Sequence, residues 1–114
     1  MSAPALADLD WPRHTERLTI RPVQERDVDD VWSYRSLPEV ARWLGRRPQD
    51  RDDLASSLLA DPEEPPLVLE LEGRAVGDLM VRVGDGWAQS DARELATRSQ
   101  AELGWVLAPA AQGR

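Results

Sequence analysis

The stretch Ala101–Leu107 constrains the fold more than any other part of the chain. Leu103, Trp105 and Leu107 recur at a period of two, and Val106 makes the end of the run apolar on both faces. That pattern predicts a central, largely buried strand. Ala108-Pro109 stops it, because proline has no N–H to give to a ladder. Small residues follow, and then Gln112, Gly113 and Arg114. A buried strand followed by a small-residue loop usually feeds a helix. Loop amides at a helix start are a ready site for phosphate. Here the sequence stops as that loop begins, so it reads as cut inside a functional motif.

The rest of the chain supplies what such a strand must pack against. Residues 1–14 carry proline, alanine and aspartate without a period and read as an arm anchored by Trp11; residues 15–114 read as the domain. His14, the sole histidine, lies in this polar lead-in, where a solvated side chain is the better reading than a catalytic one. Arg17–Arg21 alternates strictly, with Leu18 and Ile20 on one face, and Pro22 ends that strand. A helix is predicted from Gln24 to about Ser33, with Val28, Val31, Trp32 and Arg35 on one stripe. Asp27, Asp29 and Asp30 crowd its start, where the helix dipole favours acid. They lack the glycine and distal glutamate of a calcium loop.

Ser36 followed by Glu39 reads as a capping box opening a second helix, with Val40, Ala41, Trp43 and Leu44 on its apolar side and Gly45 as its stop. A third helix is predicted over Asp50–Ala60, turning Leu54, Leu58 and Leu59 inward. Asp61–Pro66 is a breaker-rich linker. Leu67–Leu71 and Ala75–Val83 are strands joined by a tight connection at Glu72-Gly73-Arg74, and Gly77 marks a bulge. Residues 84–100 read as a long polar loop with a short helical turn near Ala92–Ala96. The order is strand, three helices, then an antiparallel meander of three strands, an α+β fold.

Composition excludes more than it proposes. The formal charge of −7 argues against a nucleic-acid surface, which would be basic. Without cysteine there is no thiol nucleophile, disulfide or cysteine-ligated zinc. Without lysine there is no Schiff base and no phosphate loop of the Gly-x-x-x-x-Gly-Lys type. No apolar run approaches the roughly 20 residues of a membrane span, and the N-terminus lacks a basic-then-apolar signal pattern. A cytoplasmic location is the default expectation, with no metal.

Two stretches carry a family resemblance. Ala101-Glu-Leu-Gly-Trp-Val-Leu-Ala-Pro-Ala-Ala-Gln-Gly-Arg114 resembles the fourth strand and following loop of the GNAT N-acetyltransferases, of the Rim type. Thr15-Glu-Arg-Leu-Thr-Ile-Arg-Pro22, Asp27, and Tyr34-Arg-Ser-Leu-Pro-Glu-Val-Ala-Arg-Trp-Leu-Gly45 resemble its first strand and first two helices. In that family a Gln/Arg-x-x-Gly-x-Gly/Ala loop wraps the pyrophosphate of acetyl-CoA. Gln112, Gly113 and Arg114 match its opening, and the remainder is absent.

The resemblance implies a GNAT-like fold and transfer of acetyl from acetyl-CoA to a primary amine, a protein N-terminus or a small molecule, by direct attack. It implies that the backbone of Trp105, Val106 and Leu107 pairs with the pantetheine arm, as a peptide adds to a sheet edge. Gln112, Gly113 and Arg114 would cradle the pyrophosphate, Trp43 would wall the acceptor pocket, and Glu102 would serve as base, desolvated by Leu103 and Trp105. The family's thiolate-protonating tyrosine is not matched by Tyr34. An amine acceptor is the expected partner, with a homodimer left open. The rival reading is a non-catalytic acetyltransferase-like module for binding or dimerisation.

Overall fold

A computed structural model describes residues 5–44, 48–84 and 100–113 of the chain. One sheet runs through it, built from β1 (Arg13–His14), β2 (Thr19–Pro22), β3 (Leu67–Leu71), β4 (Arg74–Gly84) and β5 (Gln100–Leu107). They lie in that order, each antiparallel to its neighbour. Three short helices, α1 (Val28–Arg35), α2 (Pro38–Ala41) and α3 (Arg51–Leu58), fall between β2 and β3. The α+β order read from the sequence therefore holds, with the short β1 added outside β2. Among the described residues no helix is long and apolar enough to cross a membrane.

The core forms where α1 and α3 meet one face of the sheet. Val31 and Tyr34 of α1, Leu54 and Leu58 of α3, Val68 of β3 and Ala75 of β4 make a single buried cluster. Tyr34 takes the place on the buried stripe that periodicity gives to Trp32 and Arg35, which are only half-buried. Leu59, predicted to face inward, is 41% exposed, because α3 ends one residue earlier and Leu59 has left the helical conformation.

The helix starts follow local chemistry. Before α1 a single 3-10 turn, Glu25–Asp27, carries a reciprocal capping box between Gln24 and Asp27. Asp50 caps α3 by accepting from the Asp53 N–H. The box predicted at Ser36 and Glu39 does not form. Pro38 biases the residue before it towards extended backbone, so Leu37 (ψ 134°) becomes the N-cap and Pro38 the first helical residue. Ser36 instead closes α1, its N–H bonded to the Trp32 carbonyl at 3.0 Å.

The three acidic residues at the start of α1 go to three different partners. Asp27 takes both terminal nitrogens of the buried Arg21 (2.7 and 2.8 Å). Asp29 pairs with Arg51, and Asp30 accepts the Ala75 N–H at 3.1 Å. Arg21 also reaches Glu70 at 2.8 Å, which ties β2, the helix start and β3 together. Burial works against the charged form of Asp27, but the bonds from Arg21 and the Gln24 N–H outweigh it and hold the carboxyl below its usual range.

The β3–β4 connection is a two-residue turn of Glu72 and Gly73, both at positive φ (52° and 82°), as hairpin twist requires. The register slips between Leu69 and Glu70, so Val76 of β4 is the extra residue beside Gly77.

β5 departs most from its prediction. It is an edge strand of the described sheet, not a central one, with Leu103 56% and Trp105 67% exposed. Its neighbours explain this. Val106 pairs with Asp78, which pairs with Val68, so these three share the helix-covered face. Alternation then turns Leu103, Trp105 and Leu107 to the other side. The helix stop at Gly45, the loop over 85–99 with its helical turn, and Arg114 lie outside the described residues.

Candidate functional site

Two stretches far apart in sequence converge beside β5. The turn after α2 brings Trp43 and Leu44 to one side, and β5 with the 3-10 turn Pro109–Ala111 forms the other. Between them lies a cavity of about 540 Å³, lined by Glu39, Trp43, Trp105, Val106, Leu107 and Gln112 among others. Five of the residues singled out from the sequence therefore meet at one place. Trp43 is 78% exposed, and the Arg42 guanidinium stands 4.9 Å from its ring centroid. That is a cation–π contact on an otherwise open aromatic face.

The backbone of β5 has one inward and one outward set of polar groups. Ala108 N–H bonds the Val76 carbonyl at 2.7 Å. Continuing that ladder by alternation assigns the Val106 groups inward to Asp78. The N–H and C=O groups of Trp105 and Leu107 then face the free edge. The Leu107 carbonyl is met there by the Gln112 side-chain amide at 3.1 Å. Gly113 follows in the left-handed region (φ 76°).

Gly77 sets how closely β4 and β5 approach. A Cβ at this position would lie 2.7 Å from a Leu107 methyl and 2.8 Å from the Val106 carbonyl oxygen. Only glycine fits here without a shift.

A second cavity, of about 360 Å³, shares Trp43, Leu44, Trp105 and Val106 with the first. Its lining adds Arg35, Leu54, Asp78 and Met80. Asp78 is buried and engaged three times: by the Tyr34 hydroxyl (2.5 Å), Arg35 Nε (3.0 Å) and Arg35 Nη2 (2.5 Å). Burial, then the charge and hydrogen bond of Asp78, push the Tyr34 hydroxyl far above its usual value, so it stays protonated. Burial opposes the charge on Arg35, and Asp78 more than compensates. Periodicity and motif spacing do not reveal this network. One signal is present: Asp78 is the lone carboxylate of β4, set in the run Ala75–Val81 that is otherwise without a polar side chain.

Glu102 is exposed on β5, across from Arg82, and does not line either cavity. Leu103 and Trp105, expected to desolvate it, alternate to the opposite face of the strand. Glu102 shares its face with Gly104 and Val106, both of which line the smaller cavity. His14 bonds Thr19 Oγ1 at 3.2 Å on β1, at the far edge of the sheet from β5.

Residues 17–114 match the sequence profile of the acetyltransferase (GNAT) domain. No curated protein matches the chain. Among solved structures, a GNAT-family acetyltransferase from Bacillus anthracis superposes with a TM-score of 0.68 at 19% identity, over 89% of this chain and 55% of its own. An N-acetyltransferase from Staphylococcus aureus Mu50 gives 0.57 at 16%, over 87% and 58%. AAC(6')-Ib, solved with paromomycin and acetyl-CoA, gives 0.59 at 25%, over 86% and 58%. The chain thus spans little more than half the length of these structures.

Proposed function

Because the chain belongs to the GNAT acetyltransferase domain family, we propose that it takes part in moving an acetyl group from acetyl-CoA to a primary amine by direct attack. The convergence of Trp43, Trp105, Val106, Leu107 and Gln112 on one cavity carries this reading. The Rim-type subfamily is the finer assignment we favour, on the motifs around Tyr34–Gly45 and Ala101–Arg114.

The residues fit the donor. An extended, amide-containing arm can pair with the outward groups of Trp105 and Leu107, as a strand adds to an edge. An arm reaching the Leu107 carbonyl would either take its second lone pair or displace the Gln112 amide that already donates to it. Once displaced, Gln112 would donate towards the pyrophosphate, with the Gly113 backbone beside it and Arg114 assigned to the same cradle by the resemblance alone. Acetyl-CoA supplies an activated thioester, so this chain's task is to place an amine against it and take a proton from nitrogen. Glu102 is our candidate base, acting through water because it stands outside both cavities. Val106, between the cavities, would mark where donor and acceptor meet. Trp43 and Trp105 would exclude water on either side of that point.

Thiol release from acetyl-CoA across a panel of amines tests the reading, with calorimetry of acetyl-CoA binding beside it. Binding together with amine-dependent thiol release is the expected result; absence of binding would overturn it. The exposed position of Glu102 favours one rival, a module that binds CoA without catalysis. That rival predicts binding with no thiol release for any amine.

A further inference from the structure

One carbonyl on the free edge of β5 is taken by the chain's own side chain. After the strand, Ala108 is anchored inward to Val76. The 3-10 turn Pro109–Ala111 then bends the chain, held by Ala111 N–H to the Ala108 carbonyl (2.9 Å) and Gln112 N–H to the Pro109 carbonyl (3.2 Å). That turn brings Gln112 back to the strand just left, and its side-chain Nε2 donates to the outward Leu107 carbonyl at 3.1 Å. The partner is a carbonyl oxygen, so the amide has to present its nitrogen there. Gln112 is exposed and, with Leu107, lines the larger cavity.

A glutamine amide offers this edge what an extended, amide-bearing arm would offer it: an N–H for a strand carbonyl. The bond joins two neutral groups and is exposed to water, so its net worth is small and it yields to a better acceptor. A pyrophosphate is such an acceptor, because a hydrogen bond to a charged oxygen is roughly twice as strong as one between neutral groups. A ligand that carries both an arm and a pyrophosphate therefore gives the displaced amide a new partner. An arm by itself breaks the bond and gives nothing back.

We propose that Gln112 determines donor specificity: its amide holds the arm's place on the Leu107 carbonyl and yields it to thioesters that also carry a pyrophosphate. This rests on the acetyl-CoA reading and deepens it. Thioesters of pantetheine alone, with nothing to receive the displaced amide, are disfavoured. The side chain exchanges one hydrogen bond for another and takes no part in the bond changes of acetyl transfer.

Calorimetry with acetyl-CoA and with acetyl-pantetheine, which has the arm and thioester but no pyrophosphate, tests it on the unaltered protein, Gln112→Ala and Gln112→Glu. Both variants lose the N–H, and Gln112→Glu keeps the length of the side chain. Each should bind acetyl-pantetheine about 2- to 10-fold more tightly than the unaltered protein does, and acetyl-CoA more weakly. Inorganic pyrophosphate should tighten acetyl-pantetheine binding to the unaltered protein by a similar factor and leave Gln112→Ala unaffected, because the coupling runs through this one side chain. Circular dichroism establishes that the variants fold, and the pyrophosphate titration of the unaltered protein decides the matter even if they do not. Acetyl-pantetheine affinity unchanged in the variants would overturn the inference, since the arm then shares the carbonyl by its second lone pair. So would tightening in Gln112→Ala alone, which makes bulk the obstacle, or weaker binding in either variant. No effect of pyrophosphate on the unaltered protein, or no acetyl-pantetheine binding to any of the three, counts against it equally. Acetyl-CoA binding without this pattern sinks the Gln112 role alone, whereas no acetyl-CoA binding to the unaltered protein sinks the acetyltransferase reading with it.

Discussion

Gly77→Ala should damage both the stability of the protein and the cavity beside β5. The added methyl would sit 2.7 Å from a Leu107 methyl, 2.8 Å from the Val106 carbonyl oxygen and 3.2 Å from a Leu69 methyl. The side-chain contacts can be relieved by rotation, but the carbonyl belongs to the backbone of β5, so the strand itself must move. Overpacking of this kind costs about 1–3 kcal/mol. With a urea slope of about 1.5 kcal/mol per molar, the midpoint of unfolding should fall by roughly 0.7–2 M. Val106 and Leu107 line the larger cavity, so acetyl-CoA binding should weaken as well. Gly104→Ala is the matched control. It lies on β5 across from Met80, and its added methyl would meet only the flexible end of that side chain at 3.5 Å. It should be close to neutral, or stabilise by up to about 1 kcal/mol through a less flexible unfolded chain. Chemical denaturation of both variants and calorimetry with acetyl-CoA provide the readout. If the two behave alike, the close approach of β4 and β5 is not what requires glycine at 77.

Three further outcomes follow from the charged and polar groups. Asp27 has its folded-state pKa held below the unfolded value, so its contribution is present above pH about 4 and lost as pH falls through the folded value. Asp27→Asn should flatten the acid limb of a stability–pH curve and cost about 3 kcal/mol at pH 7, since Arg21 then keeps only Glu70. Tyr34 has the opposite sign: its raised value stabilises the fold below the unfolded pKa of about 10 and gives way above it. Tyr34→Phe should cost about 1–3 kcal/mol near neutral pH and reduce the alkaline loss, as thermal scans at stepped pH would register. If Glu102 is the base, Glu102→Gln should slow acetyl transfer more at low pH than at high pH, where more amine is already neutral; an unchanged pH–rate profile reduces Glu102 to a surface charge.

How far the sequence can be read depends on the distance over which each residue is decided. The alternation of Leu103, Trp105 and Leu107 correctly announces a strand, and Pro109 correctly ends it. Alternation says which residues share a face, but not which strand or helix covers that face, so it points to a central strand where the fold has an edge. Ser36 and Glu39 have the spacing of a capping box, and Pro38 moves the helix start by one residue and empties the motif. The Gly77 irregularity is visible because a glycine inside an apolar strand commonly marks a bulge or a close backbone approach. The joining of Trp43 to Trp105, Val106, Leu107 and Gln112 comes from the family resemblance rather than from any local pattern, and the cavity brings the same residues together.

The Tyr34–Arg35–Asp78 network shows why the remainder is not legible, and what it does to the site. Neither helical stripe nor strand alternation can pair Tyr34 with a carboxylate 44 residues further on. Only the packed fold reveals that α1 sends two consecutive side chains to one buried acid. Asp78 stands opposite Val106 in the sheet, and Val106 lines both cavities. A buried ion pair with all its partners in place contributes little net stability compared with an apolar substitute, but it allows few alternative arrangements. On β4, that restriction falls on the strand against which β5 is registered. α1, far from β5 in sequence, thereby helps fix the register and tilt of the edge to which we assign the donor. A single buried carboxylate on β4 thus links the packing of α1 to the placing of β5.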